Sequence, residues 1–121
     1  MLDAAVLSTL KAEGPAAFVT TGPSGPHLVA TWQSYLEVVD GSSLAFPAAP
    51  RGYHATEANL AAGSTCQMVV GSRADLQGFR LTGTAELQTD TPVHRHLQER
   101  FPWCRAAVVF KVGKVERILG D

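Results

Sequence analysis

Cysteine is scarce in this chain: Cys66 and Cys104 stand alone among 121 residues. Two isolated thiols supply neither a disulfide scaffold nor the clustered ligands of a structural zinc site. Two reduced thiols in a cytoplasmic protein are the expectation. Concentrated positive charge is lacking too. Ten Lys and Arg oppose eleven Asp and Glu, for a formal net charge of −1, and no basic run occurs. Nucleic acid is therefore an unexpected partner, because binding a phosphate backbone needs clustered cations. No apolar run approaches the roughly 20 residues that cross a bilayer, so no membrane association is expected. Nor does a cationic start precede an apolar stretch at Met1-Leu2-Asp3, as a secretory signal would require.

Common nucleotide signatures are also missing. No Gly-x-Gly-x-x-Gly joins a strand to a helix, and no Walker A loop is present, which excludes the usual dinucleotide and nucleoside-triphosphate sites. His94 and His96 lie two apart and point to different sides of a helix, so no metal site is expected. Arg105 beside Cys104 would favour a thiolate, yet no histidine partner is recognisable, and a structural thiol is expected.

What is present describes an ordinary globular domain over residues 1–121, with 45% hydrophobic and 17% charged residues. Leu2, Ala5, Val6 and Leu10 share one helical face, and Glu13-Gly14-Pro15 ends that helix. Strands are expected over 16–21 and 26–31 about the turn Gly22-Pro23-Ser24-Gly25. Further strands fall at 34–39 and 43–47 about Asp40-Gly41. A loop at 47–52 leads to a helix over 54–62, with Glu57 in its first turn. Strands follow at 65–71 and 78–89, with Gly83 suited to a bulge. Thr91-Pro92 opens a helix that ends near Arg100. A closing hairpin over 106–112 and 115–119 is expected around Gly113-Lys114. Strands at this spacing favour a barrel or sandwich.

Several ordered segments go further. Gly25-Pro26-His27-Leu28-Val29-Ala30-Thr31-Trp32-Gln33-Ser34-Tyr35-Leu36, continuing to Val39-Asp40-Gly41, is followed by His54-Ala55-Thr56-Glu57-Ala58-Asn59. Gly78-Phe79, Thr89-Asp90 and Arg100-Phe101-x-Trp103-x-Arg105-Ala106-Ala107 come after. Together these resemble the FMN-binding split barrels of the pyridoxamine 5'-phosphate oxidase-like family, over almost the whole chain. The resemblance implies a mostly β fold: a split β-barrel of about six to eight antiparallel strands, Greek-key-like, with two or three short helices. It also implies a homodimer with FMN held between subunits.

The resemblance assigns roles residue by residue. Thr31 and Thr56 are the first choices for FMN phosphate contacts, with Asn59 reaching from the helix. A helix N-terminus at Tyr53-His54-Ala55-Thr56 suits an anion. Gln33, two residues from Thr31, would share its strand face and reach the ribityl chain or phosphate. Ala30 replaces an Asn of the family pattern. Trp32 and Tyr35 match aromatic residues near the isoalloxazine, and Trp103 matches one contributed by the second subunit. The backbone of Phe46, Pro47, Ala48 and Ala49 would bond the pyrimidine edge. Glu13 matches an acid whose charge lies near the ring and disfavours its reduction. The family's Lys is Ala55 here, and Arg51, in a loop two residues longer, is expected to replace it, since guanidinium suits phosphate well. No catalytic residue is recognisable. The expected function is electron transfer or small-scale flavin redox chemistry with an unidentified donor and acceptor. Alternatives are a non-redox FMN-sensing module, or a barrel that binds haem or a deazaflavin.

Overall fold

The computed structural model describes residues 2–120. Its elements in chain order are α1 (Ala4–Leu10), β1 (Pro15–Gly22), β2 (Gly25–Trp32), β3 (Glu37–Asp40), β4 (Ser43–Pro47), α2 (Tyr53–Ala61), β5 (Cys66–Ser72), β6 (Gln77–Gln88), α3 (Pro92–Arg100) and β7 (Ala107–Leu119). The seven strands form one antiparallel sheet in the order β2-β1-β5-β6-β7-β4-β3. Alternation sets its two faces: along β1, Ala16, Phe18 and Thr20 are buried while their neighbours are more open, as the two-residue repeat of a strand requires.

The sheet curls until its far members touch. Phe18 of β1 and Phe46 of β4 are four strands apart in sheet order, yet their rings meet edge to face at 5.1 Å. Phe18 also meets Phe110 of β7 at 5.6 Å. One continuous core therefore fills the inside, with Leu44, Met68, Val70, Leu81 and Val108 around these rings. Strands β2 and β3 stay unpaired with each other and leave the barrel split. Helix α1 adds Val6 and Leu10 to this core, and Leu2 just ahead of it joins them; the Asp3 carboxylate accepts the Val6 N–H as the helix N-cap. Helix α3 lies on the outer side of β4, where Leu97 and Phe101 cover Ala45, Cys104 and Ala107.

Three expectations need correction. Gly113-Lys114 is not a turn, because β7 runs unbroken past it. Thr82 pairs with Lys114 and Gly83 with Val112, so Gly113 is the extra residue of a bulge. The bulge lies at Gly83 as expected, and a Cβ on Gly83 would overlap the Lys111 carbonyl oxygen. The 34–39 segment is not all strand: a 3-10 turn over Gln33–Tyr35 precedes β3. Helix α2 begins at Tyr53, which moves Glu57 out of the first turn.

That 3-10 turn explains the buried Gln33. Its Nε2 donates to the carbonyls of Thr9 and Ala12, at 3.0 and 3.1 Å. Its Oε1 accepts the Gly71 N–H at 2.8 Å. One carboxamide thus ties α1 and its exit to β5. Gln33→Leu keeps the volume but strands three backbone groups. It should cost about 2–3 kcal/mol, read as a lower urea midpoint with an unchanged slope.

Candidate functional site

Strand β2 carries the site along its length. On its inner side stand His27, Val29 and Thr31, less exposed than Leu28, Ala30 and Trp32 on the outer side. Val29 lines a narrow crevice with Phe46, Ala48, Ala49, Tyr53 and Thr56. The end of β4 and the first turn of α2 therefore face the inner wall of β2. His27 holds this arrangement, with Nε2 at 3.1 Å from the Gly52 carbonyl oxygen. Gly52 takes φ +78 there, the left-handed region that favours glycine, directly before Tyr53.

The first turn of α2 has free donors. Thr56 N–H is bonded to the Gly52 carbonyl, while the amides of His54 and Ala55 have no acceptor among the described residues. Helix N-terminal amides and the aligned peptide dipoles favour an anion at such a place. Thr56 adds a hydroxyl in the same turn, and Thr31 carries another on the inner side of β2. Thr56 is 5% exposed and Thr31 9%, and neither side chain makes a hydrogen bond among the described residues. Every fully enclosed side-chain polar atom among the described residues has a partner, so both hydroxyls open to the surface and can meet a ligand. Ala48 N–H is already given to the Ala106 carbonyl at 2.9 Å, and Pro47 has none, which leaves Ala49 N–H as the free backbone donor of the β4 exit.

A second group gathers at the other end of β2. Glu13, Gly14, Trp32, Ser34 and Tyr35 line an open cleft of about 480 Å³. Tyr35 lies 4.3 Å from the Phe101 ring and 6.2 Å from that of Trp103. Trp32 and Trp103 are 53% and 46% exposed, high values for the largest apolar side chain. The Glu37 carboxylate fixes this corner, accepting from Arg100 and from His96, while Arg100 Nη2 donates to the Ser34 carbonyl.

Two residues expected at the site are directed elsewhere. Gln33 leaves the strand face of Thr31 because the chain turns after Trp32, and both ends of its carboxamide are committed as described. Asn59 points to β1, where its Nδ2 donates to the Thr20 hydroxyl at 3.0 Å, and its carboxamide covers Gly22 so closely that a Cβ would overlap it. Arg51 and His54 are exposed near the start of α2, as is Ala55.

Tyr53 and Arg105 were less visible in the sequence. Tyr53 is buried at the first position of α2, and the Arg105 guanidinium carbon lies over its ring, 4.4 Å from the centre. His94 is buried, with Nδ1 accepting the Asp90 N–H and Nε2 donating to the Cys104 carbonyl. Both its nitrogens are thereby used in holding α3.

A curled seven-stranded antiparallel sheet with three short helices, split between its first and last strands, defines a split β-barrel. The chain belongs to the pyridoxamine 5'-phosphate oxidase family, whose model matches residues 2–118. A relative named FMN-binding protein, from Nitratidesulfovibrio vulgaris (strain Miyazaki F), is 41% identical over 98% of this chain and 100% of its own. Among solved structures, a histidine-to-alanine variant of HupZ from Group A Streptococcus superposes with a TM-score of 0.79 at 19% identity, over 98% of this chain and 100% of that one. An FMN-binding protein from Syntrophomonas wolfei superposes with a TM-score of 0.64 at 16% identity, over 85% of this chain and 76% of that one. These two likenesses concern the fold.

The thiols take no part in the site. Burial pushes Cys66 up to about 11 and also raises Cys104, so neighbouring Arg105 does not make Cys104 a thiolate. A raised thiol pKa keeps the neutral form at neutral pH, and the thiolate is the reactive species. Neither cysteine should react with iodoacetamide in the folded protein at neutral pH. Both should react fully once denaturant is added, as counted by mass spectrometry.

Proposed function

We propose that this protein binds FMN between two copies of itself and acts in electron transfer or small-scale flavin redox chemistry in the cytoplasm. The observation that carries the reading is the Thr56 hydroxyl, on a side chain more than nine-tenths buried and without a hydrogen-bond partner among the described residues, in the same turn as the free amides of α2, with the equally unpartnered Thr31 on the inner side of β2. Such groups suit the phosphate and lower ribityl oxygens. Ala49 N–H provides a donor for a ring edge, and the cleft of Glu13, Trp32 and Tyr35 provides an aromatic surface with an acid beside it. FMN supplies the redox chemistry when bound. The chain's own residues hold it, shield it from water and set the charge around it. Glu13 contributes negative charge at the cleft, weakened by its exposure to solvent. Arg51, at the entrance to α2, is a candidate for the cation that Ala55 does not supply.

Titration of flavin-free protein with FMN tests this reading. Bound FMN should quench in fluorescence, and Thr31→Val with Thr56→Val should weaken binding by about tenfold or more through lost hydrogen bonds to a charged group. Undiminished affinity in the double variant would remove the threonines from the site. A Soret band in freshly purified protein would instead favour haem.

Dimerisation is supported by the outer face of the sheet. Leu28, Ala30 and Trp32 on β2 lie beside Ala17 and Val19 on β1, with Val69 of β5 across Ala17. Leu28, Trp32 and Val69 are exposed there, which forms a continuous apolar surface of the kind that marks interaction sites. Two-fold association would apply this face to its own copy and bring a second chain to the aromatic cleft. Leu28→Glu replaces a side chain that touches little within its own chain. It should leave the melting curve of the fold intact, yield a monomer by light scattering, and weaken FMN binding at the same time.

A further inference from the structure

We propose that Arg105 is the residue that reads the phosphate at this site, and so makes the protein choose FMN over riboflavin. The inference rests on the FMN reading above and extends it to a residue to which the resemblance gave no role. Ala55 leaves the first turn of α2 without a cation of its own. Arg105 comes to that turn from the segment just before β7. Its guanidinium carbon lies 4.4 Å from the centre of the Tyr53 ring, and Tyr53 is the first residue of α2.

The backbone around Arg105 is held firmly. Cys104 on one side and Ala106 on the other are both buried. The Ala106 carbonyl accepts the Ala48 N–H at 2.9 Å, and the Cys104 N–H is bonded to the Phe101 carbonyl at 2.8 Å. Arg105 is thereby fixed next to the β4 exit and the α2 entrance together. It belongs to no ion pair among the described residues, so its charge is uncommitted. Its N–H groups make no hydrogen bond among the described residues, and a guanidinium's planar fork matches a phosphate with two parallel bonds.

The site offers more than a bare helix end. Thr56, 5% exposed and without a hydrogen-bond partner among the described residues, lines the crevice shared with Tyr53 and Ala48. Arg105, Thr56 and the amides of His54 and Ala55 together present a cation, a hydroxyl and two N–H donors. Arg51 differs in one respect. It follows Pro50 on an exposed loop, and no ring or carboxylate holds its side chain among the described residues. A cation already held in place loses less entropy on binding than one on a free loop. Arg105 is therefore the stronger contact of the two.

The experiment compares FMN with riboflavin, which keeps the ring and ribityl chain and lacks the phosphate. Flavin-free wild type, R105A, R105M, R105K and R51A are titrated with each, following flavin fluorescence. Wild type should prefer FMN. R105A and R105M should lose about tenfold or more in FMN affinity, the size of a lost charge-assisted hydrogen bond, with riboflavin affinity unchanged. R105K should fall between, keeping the charge without the planar fork, and R51A should lose less than R105A. R105M continues to cover Tyr53, so it carries the comparison should R105A fail to fold. Equal loss of both flavins in R105M would overturn the proposal and leave Arg105 a cover for Tyr53. Unchanged FMN preference in R105M, or a larger loss in R51A, would also overturn it. Wild type that binds both flavins equally would overturn the phosphate role while leaving the ring site in place. Wild type that binds neither would remove the FMN reading itself.

Discussion

The contact of Phe18 with Phe46 is the constraint on which the architecture depends. An antiparallel sheet with one apolar face must bury that face against something. With only short helices available, this sheet buries it against itself, and rings from strands four places apart meet in the middle. Once the sheet is curled, the end of β4 is carried toward the inner wall of β2. The crevice under α2 arises there. The site is therefore a product of curvature, since a flat sheet of the same strands would place Ala48 and Val29 far apart.

Curvature leaves two strands unpaired at the split, and the helices compensate for this differently. Helix α1 inserts its apolar side into the core and is locked to β5 through Gln33. Helix α3 stays outside, clamped to β3 by the Glu37 contacts with His96 and Arg100. Helix α2 carries almost no apolar stripe and is held by polar braces, Asn59 to Thr20 and His27 to the Gly52 carbonyl. A helix held by hydrogen bonds at its flank keeps its N-terminal donors uncovered, which a helix sunk into an apolar core does not.

Much of this was legible in the residues, and the failures have physical causes. Gly22-Pro23-Ser24-Gly25 and Asp40-Gly41 are local signals, and the turns fall where they lie. Gly113-Lys114 carries the same kind of signal, yet the pairing with β6 absorbs Gly113 as a bulge, which only the partner strand can specify. Gln33 follows Thr31 at the spacing of a strand face, but the strand ends between them. Polarity at that spacing fits a ligand and a buried strut equally well. Thr56 lines the crevice, and Trp32 and Tyr35 line the cleft. The placement of Arg105 on Tyr53 depends on two segments some fifty residues apart in the chain, and no local pattern announces it.

Strand β7 has a consequence for how the molecule is made. It pairs with β6 along nearly its whole length and with β4 over its first residues, so it alone joins the β3–β4 hairpin to the other four strands. It is also the last of these seven strands to leave the ribosome. Until it emerges, β4 has no partner besides β3, and Phe46 has no closed core to enter. Closure of the barrel is for that reason a late event in the life of the nascent chain. The crevice under α2, whose walls include Val108, is completed only after the other six strands described have been synthesised.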